Sequence, residues 1–101
     1  MATRQREIIR GKILYYLALV YPQPVTLTLL QRELDLFGYP VPMDEVNFHL
    51  AYLSERELVS VTNTVLPVTQ RSIRLVKITG RGIDYQDGRL PADEGIHIEP
   101  R

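Results

Sequence analysis

The side chains of this sequence with the most evident chemistry are basic. Arg71, Arg74, Lys77 and Arg81 follow one another over a short stretch and could neutralise phosphate groups. Asn47 lies upstream on a helical segment and could hydrogen-bond a base edge. Catalytic chemistry has much less support. His49 and His97 are the only histidines and cysteine is absent, so no ligand cluster of recognisable spacing exists for a metal. His49 falls beside a helical apolar face and reads as a core-edge imidazole. Gly80-Arg81-Gly82 lacks the further glycine and the Lys-Ser/Thr ending of a phosphate loop and reads as turn chemistry. Ser54, Ser60 and Ser72 have no evident base and orienting acid. The acidic residues of the third helix read as a solvated face, with nothing to suggest an enclosing pocket. The expectation is a non-enzyme with no catalytic residue, metal or cofactor.

The elements that must position these residues fit in one domain, because 101 residues support one modest core. No apolar run approaches the roughly 18 residues that would cross a membrane. The first residues, MATRQREIIR, lack the apolar segment of a signal peptide. A cytoplasmic protein is expected. Formal net charge is zero, but charge is segregated. Thr3–Tyr21 carries Arg4, Arg6, Arg10 and Lys12 against Glu7. Pro42–Val59 carries Asp44, Glu45, Glu55 and Glu57 against Arg56. Arg71–Arg89 is basic again, with Asp84 and Asp87 as its acids. A nucleic-acid binder shows a basic stripe; here it could come only from the first helix and the later hairpin.

The first helix is expected from Thr3, its cap, to about Val20, with Ile9, Ile13, Leu17 and Val20 on one stripe and Leu14 and Tyr16 at its edges. Ile8, Tyr15 and Leu19 form a second apolar set on the other side, which calls for a second subunit or the chain's own tail. Tyr21-Pro22-Gln23-Pro24 ends this helix. Pro24-Val25-Thr26 offers a short edge strand. Thr26 or Thr28 then caps a second helix, Thr28 with Gln31 as a capping box, and Leu27, Leu30 and Leu34 face inward. Phe37-Gly38 ends that helix. The third helix starts near Pro42–Asp44 and runs to about Arg56, with Val46, Leu50 and Leu53 at i, i+4 and i+7. Strands follow at Leu58–Thr64 and Ser72–Ile78, joined by a tip containing Pro67. A capped helical turn or two begins at Thr79 and stops by Gly88. Residues 1–88 are read as the domain and 89–101 as an extended tail, in which Ile96 and Ile98 alternate with His97 and could lie as a strand or cover an apolar groove.

This order resembles the winged helix-turn-helix superfamily of prokaryotic regulators. The matching residues are Val25 to Leu30 with Leu34, Val46 to Leu53 with Leu58-Val59, and Ile78-Thr79-x-x-Gly82 after the wing. The resemblance implies an α+β fold: a three-helix core, a two- to three-stranded antiparallel β-wing and an extended C-terminal tail. A looser similarity is to small proteins of Mu-like prophages. The family implies DNA binding, with the third helix in the major groove and the wing on phosphate or in the minor groove. The sequence departs from that pattern in its long turn, Asp35 to Glu45, and on the third helix. There Asp44, Phe48, Ala51, Tyr52 and Glu55 share the face opposite Val46, Leu50 and Leu53.

Two functions follow. One is a small DNA-binding transcription regulator, a homodimer that holds double-stranded DNA non-specifically or through the wing, with Asn47, Arg71, Arg74, Lys77 and Arg81 at the DNA. The other is a protein–protein interaction module that does not bind DNA. It would dock a partner through Phe48 and Tyr52, with Ile8, Tyr15 and Leu19 as a further contact face.

Overall fold

The structure is a computed structural model that describes residues 2–98. Helix α1 spans Ala2–Val20, strand β1 Val25–Thr26, helix α2 Leu27–Leu36 and helix α3 Met43–Glu55. Strands β2 (Val59–Val65) and β3 (Ser72–Ile78) form the wing, and helix α4 (Gly80–Gln86) closes the order. The sheet is antiparallel in the order β1-β3-β2. This is the winged-helix architecture expected from the sequence. Helix α1 already starts at Ala2, so Thr3 lies within its first turn and is not its cap, a correction to the expected start; residues 99–101 of the tail lie outside the described ones.

Local chemistry sets the element ends. Thr26 takes extended backbone and its Oγ1 accepts from the Leu29 N–H at 3.1 Å, so it is Thr26 and not Thr28 that caps α2. Gln31, expected to complete a capping box with Thr28, instead donates to the Val41 carbonyl at 2.9 Å and ties down the long connector. Gly38 takes φ +94 and the Tyr39 N–H reaches the Leu34 carbonyl at 2.8 Å, closing α2. At the end of α3 the left-handed position belongs to Glu57, with φ +61, and the Leu58 N–H returns to the Leu53 carbonyl at 3.0 Å. That bond keeps Leu58 in the helix cap, so β2 starts at Val59, one residue later than its β-branched composition suggests. Thr79 caps α4 through its Oγ1, which accepts from the Gly82 N–H at 3.0 Å.

The core joins Ile9, Ile13, Leu14 and Leu17 of α1 to Leu30 and Leu34 of α2 and to Val46, Leu50 and Leu53 of α3. Val76 and Ile78 of β3 close it from the sheet side. Leu14, expected at the edge of the α1 stripe, is fully buried. The tail also packs against α1. Ile96 is buried in the same core, and the His97 N–H donates to the Glu7 carbonyl at 3.0 Å, which lays the tail along α1. Gly11 makes this approach possible, since a Cβ there would meet the His97 carbonyl oxygen at 1.8 Å. Of the second apolar set, Ile8 is half-buried, whereas Tyr15 and Leu19 are exposed, Leu19 by 64%.

His49 is fully buried, a correction to its expected place at the core edge. Arg10 crosses from α1, and its Nε donates to His49 Nδ1 at 3.0 Å. An arginine Nε–H can only donate, so Nδ1 is an unprotonated acceptor and the imidazole is the neutral Nε2–H tautomer. That proton points at Glu45 Oε2, 3.1 Å away. Burial pushes the His49 pKa below its ordinary 6.5; the Glu45 hydrogen bond opposes the shift and the Arg10 charge adds to it.

Three outcomes follow from these contacts. Gly11→Ala forces the tail off α1 and lowers unfolding free energy by about 1–3 kcal/mol in urea titration, with new protease cutting near Ile96. Glu57→Gly relieves left-handed strain of about 1–2 kcal/mol against a glycine entropy cost of about 0.5–1. A net gain of about 0.5–1 kcal/mol should appear in the same titration. For pH, a group with a depressed folded pKa contributes stability that is complete above the unfolded pKa and is lost as pH falls below it. The thermal midpoint therefore declines as pH drops below about 6.5, and His49→Gln flattens that limb.

Candidate nucleic-acid interface

The outer face of α3 carries Asp44, Phe48, Ala51, Ser54 and Glu55, all exposed. Glu45 turns inward to His49, which leaves Asp44 as the exposed acid of the first turn. Cations then arrive on both flanks of the helix. From the wing, Arg74 Nη1 donates to Asn47 Oδ1, while Asn47 Nδ2 donates to the Met43 carbonyl at 3.1 Å. From α1, the Arg6 and Arg10 guanidinium carbons stand 5.3 and 5.5 Å from the centre of the Phe48 ring.

The wing cations are divided by the pleat. Alternate residues of a strand point to opposite faces. Arg74 therefore shares a face with the buried Val76 and Ile78, and beyond the core edge it reaches α3. Lys77 lies on the other face, with its Nζ 5.6 Å from the Tyr21 ring centre. Arg71 is exposed at the tip. Arg81 is exposed on α4, and its Nε donates to the Arg56 carbonyl at 3.2 Å, where it caps the end of α3. So Arg74 and Asn47 are brought together, Arg71 continues along the same hairpin, and Lys77 and Arg81 are placed elsewhere.

The aromatic residues part company in a similar way. Phe48 is 49% exposed, its edge toward His49. Tyr52 lies in a sandwich, with the Arg10 and Arg56 guanidinium carbons 3.7 and 3.4 Å from its ring centre. Its hydroxyl donates to Asp93 Oδ1 at 2.6 Å, and Arg56 Nε donates to Asp93 Oδ2 at 2.6 Å. Burial raises the Asp93 pKa, but donation from Tyr52, the Gly95 N–H and Arg56 outweighs it and holds the carboxyl below its usual range. Burial and then Asp93 push the Tyr52 hydroxyl up. The series Arg6, Phe48, Arg10, Tyr52, Arg56 forms a cation–aromatic ladder across α1 and α3, closed at one end by the tail. Arg6 and Arg10 at i, i+4 on the first helix were a sequence signal for half of it. Asp93 had none, because its partners lie 37 and 41 residues away.

Tyr15 meets Phe37 edge-on at 6.3 Å, and Lys12 Nζ lies 5.7 Å from the same Phe37 ring. With Leu19 they leave an apolar strip beside α2. Among the described residues, no group of His, Asp or Glu could hold a metal ion.

No protein-family model and no curated protein matches the chain. One solved structure that resembles it is that of the putative transcriptional regulator TA0346 from Thermoplasma acidophilum. The two share 23% identity and a TM-score of 0.62, over 76% of this chain and 75% of that one. The expected similarity to Mu-like prophage proteins finds no support among these matches. What the likeness establishes is the fold: an α+β chain with a three-stranded antiparallel sheet, consistent with the winged helix.

Proposed function

We propose that this chain is a small winged-helix DNA-binding regulator that grips the duplex mainly through its wing and the basic flank of α1. The observation that carries the reading is the framing of α3 by exposed cations on both sides: Arg74 through Asn47, and Arg6 through Phe48, with Arg10 buried behind that ring. Phosphate contacts supply sequence-independent affinity, and a helix flanked by cations can lie in the major groove while its neighbours hold the two backbones. The structural neighbour's designation as a transcriptional regulator points the same way. Asn47 and Arg74 act together: as a pair they offer an amide and a guanidinium at one groove edge. Arg71 extends the phosphate contact outward, while Lys77 and Arg81 stand apart from it. A homodimer joined through Tyr15 and Leu19, beside Ile8, would set two wings on one site. No described helix is long and apolar enough to cross a membrane.

A second reading has its own observation. Phe48 is half-exposed between Asp44 and Glu55, a surface suited to a protein partner. On that reading Phe48 is the anchor, while Tyr52 is committed to Asp93 and supports it from beneath.

Gel retardation of a short duplex over a salt series decides between them. On the DNA reading the wild type binds at low salt, and the paired change Arg71→Ala with Arg74→Ala lowers the salt slope by about two. Each loss also weakens binding roughly uniformly across sequences. If no duplex is retarded at low salt, and Phe48→Ala alone abolishes capture of a partner, the interaction reading stands instead.

A further inference from the structure

The wing ends in an exposed apolar tip. Val68 is 94% exposed, Val65 57% and Leu66 38%, with Pro67 exposed between them. The ribbon behind the tip carries charge of one sign. From Val59 to Ile78 the sequence holds no Asp or Glu, and its cations are Arg71, Arg74 and Lys77. Three adjacent apolar side chains at the far end of a hairpin add nothing to the core, since β2 is exposed from Thr62 onward.

The tip is also held in one shape. The Leu66 N–H donates to the Arg71 carbonyl and the Gln70 N–H to the Leu66 carbonyl, both at 2.8 Å. The Arg71 N–H adds a bond to Thr69 Oγ1 at 3.3 Å. Gln70 takes φ +59 to complete the turn. The β-ladder runs without interruption to Val65↔Ser72, so the loop is carried on a fully paired ribbon. Proline and valine have few rotamers, and the side chains presented at the end are therefore stiff.

We propose that this tip is an apolar wedge that enters the minor groove of duplex DNA and bends it, an inference that rests on the DNA-binding reading above. Charge selects DNA, because the acid-free ribbon is complementary in sign to two phosphate backbones. The dimensions then set what entry demands: paired strands lie about 4.8 Å apart before side chains are added, and the undistorted minor groove is about 6 Å wide. Penetration therefore requires the groove to open, which happens when the duplex kinks toward the major groove. Apolar side chains inserted between base steps do this, with kinks of about 20–90°. A membrane surface fits less well. Residues 58–78 contain no Phe, Tyr or Trp, the side chains that favour the bilayer interface.

In the resulting arrangement Leu66, Pro67 and Val68 meet the base step and Arg71 meets the adjoining phosphate. Flexible pyrimidine–purine steps such as TA are preferred, because they unstack at least cost.

The test uses the full chain and a short duplex with a central TA step, labelled at both ends for energy transfer. A second duplex carries 2-aminopurine at that step. Retardation on the same duplexes measures binding separately. The expected result is a shortened end-to-end distance and a rise in 2-aminopurine fluorescence with wild type. Leu66→Ser with Val68→Ser binds within about threefold of wild type but leaves the duplex straight and the fluorescence unchanged. Circular dichroism confirms that the variant folds, since neither residue belongs to the core. Wild type that binds without bending, or a variant that bends equally, overturns the wedge and leaves DNA binding intact. Tip-dependent binding to phosphatidylserine vesicles, with DNA bound straight, overturns it in favour of a membrane surface. Absence of any duplex binding at low salt removes the DNA reading and the wedge with it.

Discussion

A buried cation holds this domain together. Arg10 is 6% exposed, and among the described residues its guanidinium hydrogen-bonds an imidazole and a backbone carbonyl rather than a carboxylate. Its Nε donates to a neutral imidazole and its Nη1 to the Gly95 carbonyl at 3.2 Å, while its faces lie against Phe48 and Tyr52. Burial lowers its pKa, yet guanidinium stays charged in a protein. The cost of desolvating that charge has to be met by aligned acceptors and π faces, or the fold fails. Each acceptor comes from a different part of the chain: His49 from α3 and Gly95 from the tail. The requirement to satisfy one cation thus fixes the seating of α1, the depth of α3 and the path of the last residues.

The tail follows from this constraint. It has no regular secondary structure, and its position rests on particular contacts. Ile96 enters the core, Tyr85 Oη accepts from the Asp93 N–H at 2.8 Å, and Asp93 ties Tyr52 to Arg56. Glycine at 95 is required for the same packing, because a Cβ there would lie 1.9 Å from the Tyr52 hydroxyl. A segment with few apolar residues is held here by hydrogen bonds to charged groups, which are the stronger ones.

Periodicity made most of the fold legible. The stripe of Val46, Leu50 and Leu53 specified the buried face of α3, and the β-branched runs specified the wing. Boundaries slipped where backbone hydrogen bonds decide, as at Leu58 and between Thr26 and Thr28. The site was legible only in part. Basic residues of the wing and first helix stood out as charge segregation, but sequence spacing made the α3 surface look acidic. The structure adds what spacing could not show: the Glu45 carboxylate faces a buried histidine, and the flanking arginines come from distant positions. Arg74 is 27 residues from Asn47 and Arg10 is 39 from His49. Helical periodicity carries no information at those separations.

The Asn47–Arg74 bond shapes what α3 can read. Asn47 has both ends of its amide engaged, one to the Met43 carbonyl and one to Arg74. Bidentate recognition of adenine needs a free amide edge, so Asn47 alone is a poor reader while the pair is closed. Arg74 keeps its remaining N–H donors, which can serve guanine acceptors or phosphate without breaking the pair. An α3 surface of Phe48 and Ala51 beside it offers apolar contact rather than hydrogen bonds. On the proposed DNA-binding function, affinity on such a surface would come from its cationic borders and from shape, and discrimination between sequences would shift to the deformability of the duplex. A stiff wing carrying an apolar tip suits that kind of discrimination better than a third helix whose single amide is already occupied.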